Sequence, residues 1–121
     1  MKFVNDDVIE FLLNKGKTHS YSTDIGLKSD DALKFIELLK KNDAYILGGD
    51  VMQKVDNKID FTYDSWYSDP EQYSKEESYK RAIDYITNYP LKENKYFSFV
   101  WVDNNDTFSL LKKILTEKNK L

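Results

Sequence analysis

The feature that most constrains this chain is a pair of strand-forming segments, Ala44–Val55 and Ile59–Tyr63, separated by Asp56-Asn57-Lys58. Asp and Asn tolerate positive φ, so the three intervening residues read as the turn of a β-hairpin. A three-residue turn places Ile59, Phe61 and Tyr63 across from Val55, Gln53 and Val51, which puts the more apolar side of each strand on one core face. In that register the opposite face pairs Lys54 with Asp60 and sets Asp50 directly across from Asp64. Two facing carboxylates repel unless one is protonated or a cation lies between them. A two-residue turn would align Phe61 with Met52 or Lys54 and mix charge into the buried side, so the three-residue register is the expectation.

The elements around the hairpin follow helical and strand periodicity. Asn5 or Asp6 caps a first helix that carries Val8, Phe11 and Leu12 and stops at Gly16. Lys17–Lys28 reads as a loop. Ser29, Asp30 and Asp31 supply a cap and N-terminal carboxylates to a second helix with Ala32, Phe35, Ile36 and Leu39 as its stripe. After the aromatic loop YDSWYSDPEQY, a third helix opens at Ser74 or Lys75, carries Tyr79, Ala82, Ile83 and Ile86, and is closed by Pro90. Tyr96–Val102 reads as a third strand covered on both faces, with Phe97, Phe99 and Trp101 on one side and Val100 and Val102 on the other. Asn105 or Asp106 caps a last helix with Phe108, Leu111 and Leu115, and the tail KNKL is expected to fray. The order ααββαβα predicts an α+β fold in which about four helices pack on a small, mainly antiparallel sheet of about three strands. All of it falls in a single domain spanning 1–121.

Composition bounds the function. Eighteen basic residues against 21 acidic ones give a net charge of -3, which argues against recognition of nucleic acid through its phosphates. The absence of cysteine excludes disulfides and thiolate metal sites. Asp6, Asp7 and Glu10 break the N-terminal apolar run, so it is neither a signal peptide core nor a membrane span, and a cytoplasmic location is expected. The acidity is concentrated: between Asp43 and Ser74, seven acids face only Lys54 and Lys58, a local balance of -5.

Several chemistries compete for ILGGDV, residues 46–51. A phosphate loop requires glycines between a strand and a helix N-terminus, whereas here the glycines lead into more strand. Gly48 and Gly49 instead point to a bulge or to close approach of a helix or aromatic ring. Asp50 and Asp64 together could form an acid/base pair or a small metal-dependent enzyme site, but no His, Asn or third acid supports them. His19, the only histidine, lies in a polar loop and is expected to be exposed. The cluster Tyr63, Trp66, Tyr67 and Tyr73 either covers the end of the core or forms an interface. Ringed by carboxylates, such an interface suits a basic protein surface. The residues assigned to it are Asp50, Asp60, Asp64, Trp66, Tyr67, Asp69 and Glu71.

ILGGDV, then Tyr63-Asp64-Ser65-Trp66-Tyr67, a helix, and Asn88-Tyr89-Pro90, taken in that order, resemble the bacterial immunity protein 40 family. The resemblance runs from about Leu27 to Val102 and matches Gly48, Gly49, Asp50, Tyr63, Asp64, Trp66 and Tyr67. Ser65 and Ser68 stand where the family more often has Asn and Cys. The resemblance implies a small α+β protein of a polymorphic toxin system that has no catalytic activity and no cofactor. Such a protein protects its producer by binding a cognate toxin domain. Many such toxins are basic nucleases, which an acidic inhibitor meets faster through electrostatic steering. The other readings are the enzyme built on Asp50 and Asp64 and an interaction module for an unrelated protein. The sequence leaves the oligomeric state open.

Overall fold

The structure, a computed structural model, describes residues 6–119. The elements are α1 (Asp6–Lys15), β1 (Lys17–Thr18), β2 (Ile25–Gly26), α2 (Ser29–Lys41), β3 (Tyr45–Val55), β4 (Lys58–Tyr67), α3 (Lys75–Asn88), β5 (Lys95–Phe97), β6 (Val100–Val102) and α4 (Thr107–Asn119). The fold is α+β as expected, with the described strands divided between a two-stranded and a four-stranded antiparallel sheet. None of the described helices is long and apolar enough to cross a membrane.

The helices form where their apolar residues recur. In α2, Ala32, Phe35, Ile36 and Leu39 are all fully buried, while Asp30 and Asp31 sit at the positive end of the dipole and Lys40 and Lys41 at the negative end. Lys28 occupies the N-cap with no side-chain hydrogen bond, so the cap expected of Ser29–Asp31 is absent. Ser74 caps α3 through a full capping box with Glu77. The Asp103 carboxylate, not Asn105 or Asp106, accepts from the amide of Thr107 at the start of α4. Lys118 and Asn119 of the tail are helical; Asn5, Lys120 and Leu121 lie outside the described residues.

β3 is the centre of the larger sheet, with β4 on one side and β5 and β6 on the other. The single strand expected at Tyr96–Val102 is interrupted at Ser98-Phe99, so two short strands pair with different parts of β3. Cross-strand partners Ile46 and Trp101, Gly49 and Trp66, and Val51 and Phe97 define one face, which packs with α1 to α4 in the main core. Met52, Phe61 and Tyr96 define the other, where they form a second, smaller core with Ile59. The expected loop 17–28 covers that second core. It contains β1 and β2, bridges β5 through Leu27 and Phe97, and brings Gly26 against Met52 and Tyr96. A 2.7 Å ion pair between Asp24 and Lys112 ties it to α4.

This cover explains why the expected hairpin register is wrong. Val55 pairs with Lys58 and Met52 with Phe61, so the turn has two residues, Asp56 and Asn57, with Asp56 at φ 56°. The three-residue register rested on treating the Met52 face as the wetter one, but the segment carrying His19 makes it a core. His19 is accordingly buried, not exposed (5% accessible), and its ring lies 4.2 Å from that of Phe61. Its Nδ1 accepts from the Tyr21 amide, so Nε2 carries the proton and donates to Asp60 at 2.9 Å. Lys54 consequently faces Ile59 rather than Asp60, and Val102, expected to be covered, is 54% exposed.

YDSWY, expected in a loop, is the second half of β4. Three residues, Thr62, Tyr63 and Asp64, stand opposite the single residue Val51, a bulge in which the Thr62 hydroxyl donates to the Val51 carbonyl and accepts from the Asp64 amide. Beyond it, Trp66 returns to the core face directly across from Gly49. A Cβ on Gly49 would stand 1.9 Å from the Ser98 carbonyl oxygen and 2.5 Å from the Trp66 ring, and Gly48 takes φ 151° with Trp66 backbone packed against it. Gly49→Ala is therefore expected to cost about 1–3 kcal/mol by overpacking. Trp66→Ala should cost about 3–5 kcal/mol by opening a cavity. Urea denaturation of the two variants measures both, and a midpoint unchanged from wild type would contradict this account of the glycine pair.

Candidate functional site

The end of β4 stands between two clefts. One, of about 540 Å³, lies between β4 and α3, with Asp64, Trp66, Asp84, Tyr85, Tyr89 and Pro90 among its walls. The other, of about 300 Å³, is on the opposite sheet face, where Gly48 and Gly49 leave the floor without side chains between Leu47, Tyr67 and Val100. Trp66 separates them. Its ring stacks on Tyr85 at 5.0 Å and meets Phe99 edge-on, and it is 8% exposed.

Trp66 therefore does not belong to an exposed partner surface as expected. The gap above Gly49 admits the indole, and Tyr85 and Phe99 close over it. The exposed aromatics are its neighbours. Tyr67 is 62% accessible, and Tyr63, part of the expected aromatic cluster but not among the residues assigned to the interface, is 91% accessible, the most exposed large apolar or aromatic residue among those described. Tyr63 also holds φ 73°, a conformation unfavourable for any residue with a Cβ. Leu91, next to the cleft residue Pro90, is 84% exposed with φ 51°.

The carboxylates separate into distinct roles. Asp64 accepts a 2.7 Å hydrogen bond from the Tyr89 hydroxyl, while Asp50 lines the glycine-floored depression. They are not cross-strand partners, because Asp50 pairs with Ser65; the expected Asp50–Asp64 opposition is overturned by the bulge and the two-residue turn. Asp60 lies at the far end of β4, engaged by His19 and the Phe61 amide. Asp69 accepts from the Glu71 amide in the loop entering α3, where Glu71 is exposed. Among the described residues no three His, Cys, Asp or Glu side chains converge as metal ligands would.

Burial pushes the Asp50 carboxyl above the ordinary aspartate range, and the Asp24 charge adds to this. The Tyr85 and Tyr89 hydroxyls are also pushed up, first by burial, then by the charge of Asp64 on Tyr85 and by the hydrogen bond to Asp64 on Tyr89, so both remain neutral donors. Arg81, which the sequence reading passed over, closes this end of the strand. Its Nε donates to Ser68 Oγ, a second nitrogen donates to the Tyr67 carbonyl, and the guanidinium lies 4.0 Å from the Tyr73 ring centre. Tyr85 and Asp84 were missed as well, and Tyr89 entered only as part of the NYP motif, without a role at the site. The signal for the two tyrosines was their i, i+4 spacing at the end of α3, beside its apolar stripe.

ILGGDV, YDSWY and NYP thus meet at one place: Gly49 beneath Trp66, Trp66 on Tyr85, and Asp64 on Tyr89. A family model described as Immunity protein 40 matches residues 13–101, which span all three motifs. The chain belongs to the immunity protein 40 family. Comparisons with curated proteins and with solved structures gave no match. Ser68, just past the YDSWY motif, is fully buried and donates its amide to the Leu47 carbonyl.

Asp50 offers a pH test. A carboxyl whose folded pKa is raised destabilises the fold when ionised, so its cost is absent below the unfolded value near pH ~4 and grows as pH rises through the folded pKa. Asp50→Asn should raise the Tm at pH 7, with the advantage vanishing toward pH ~3. Calorimetric scans across that range check it; an Asn variant less stable than wild type at pH 7 would contradict the assignment.

Proposed function

We propose that this protein neutralises a cognate bacterial toxin domain by binding it stoichiometrically through the exposed end of β4. Tyr63, Asp64 and Tyr67 are at the centre, with the two flanking clefts around them. It acts as an inhibitor without catalysis, and the reading places the encounter in the cytoplasm of the producing cell. Family membership supports the immunity role. The observation that carries the choice of surface is Tyr63: an almost fully exposed aromatic held at positive φ by a bulge gains no packing in return for its strain. Rigid tyrosines with few torsions make good interface anchors, and the bulge keeps the strand edge from pairing with another strand, so contact is made through side chains.

The charge of the region fits a basic partner, such as a basic nuclease domain. The local balance of -5 between Asp43 and Ser74 would raise the association rate at low salt. The enzyme reading built on Asp50 and Asp64 has lost its premise, because the two residues face different clefts.

Co-expression with the toxin encoded beside the gene tests the proposal. Wild type should protect the cells, and cells dying as fast with it as without it would sink the immunity reading. Tyr63→Gly should abolish or strongly weaken protection while leaving stability equal or higher by up to about 1 kcal/mol, since glycine accepts positive φ without strain. Full protection by the glycine variant would remove Tyr63 from the interface.

A further inference from the structure

The depression above Gly48 and Gly49 has no role in the packing described so far. Trp66 uses the core face of Gly49, whereas on the opposite sheet face the two buried glycines floor the depression without side chains between Leu47, Tyr67 and Val100. Its volume of about 300 Å³ lies at the lower limit of small-molecule sites, a size that suits one long side chain rather than a nucleotide or cofactor. Leu47 and Val100 are half-buried and Tyr67 is largely exposed, so the walls are apolar and aromatic with open access. At the edge lies Asp50, half-buried, with no hydrogen bond to its carboxylate among the described residues. The carboxylate that acts on it electrostatically, Asp24, already has its own counterion in Lys112. Asp50 is thus a partly desolvated carboxylate with no cation paired to it among the described residues, beside a slot with apolar walls.

Resting on the immunity reading above, we propose that this depression receives a single arginine or lysine side chain from the toxin. Its aliphatic stem lies along Leu47, Val100 and the Tyr67 ring, and its charged head pairs with Asp50. The chemistry selects this occupant. An anionic group would meet Asp50 and Asp24, and a purely apolar one would seal an unpaired carboxylate away from water. A basic side chain supplies the missing counterion and covers the apolar walls with the same stem. The glycine pair then has two functions: a core face for Trp66 and an outer face that admits the partner.

Titration calorimetry of the purified full chain against its toxin domain tests the site. Asp50→Asn should weaken binding at least tenfold while raising stability at pH 7, and Tyr67→Ala should weaken it by a similar factor. Glu10→Gln, an exposed charge on α1 across the sheet from the depression, should change it less than about threefold. A scan of the toxin's arginines and lysines should find one whose replacement by alanine weakens wild-type binding tenfold or more but leaves the already weakened binding of the Asp50→Asn variant unchanged. Wild-type binding with Asp50→Asn within twofold of it, or coupling of Asp50 to an apolar or acidic toxin residue instead, would overturn the proposal while leaving the immunity role standing. No binding by wild type at all would instead count against the immunity role itself.

Discussion

The indole of Trp66 lying across Gly49 is the contact on which the rest of the molecule depends. It requires a residue without Cβ on the central strand, because the Ser98 backbone closes the same space from the other side. It places Tyr85, and with it α3, over the strand edge, and it lets Tyr89 reach Asp64 one turn later. With the Trp66 ring committed inward, the alternation of β4 sends Ser65 and Tyr67 outward. One packing decision therefore fixes both the helix that walls one cleft and the aromatic that walls the other. It also accepts a cost, since Trp66 Nε1 is buried without a hydrogen-bond partner among the described residues.

The helices were legible in the sequence because their signal is local. Ala32, Phe35, Ile36 and Leu39 recur at the spacing of one helical face, and Ser74 with Glu77 spells a capping box, whatever the rest of the chain does. The hairpin was legible as a hairpin, but its register was not. Register depends on which face is buried, and the face of Met52 and Phe61 is buried by a segment distant in sequence, through His19 and Gly26. The same non-local contact turned a histidine in a polar loop into a buried residue whose ring bridges Tyr21 and Asp60.

The motif residues were recognisable before their directions were. Gly48 and Gly49 were correctly expected to serve close backbone and ring approach, yet nothing in YDSWY distinguishes the aromatic that turns inward from those that turn out. That choice is made by the gap over Gly49 and by a bulge of three residues against one, and neither is encoded in the alternation of β4 alone. Two local penalties lie on this part of the surface: the strained, exposed Tyr63, and the half-buried Asp50, whose carboxylate has no partner among the described residues. They flank the same stretch of β4, and neither contributes to the core. Both lie near the most tightly packed point of the fold, the rigid support that the proposed interface would use.

Hydrogen exchange of the protein alone and with its toxin domain tests that placement most directly, because it reads the whole backbone without altering a residue. The account predicts new protection at residues 61–67 of β4 and 47–50 of β3, with the amides of α1 and α4 exchanging as before. Protection confined to α1 and α4, with the end of β4 unchanged, would contradict it.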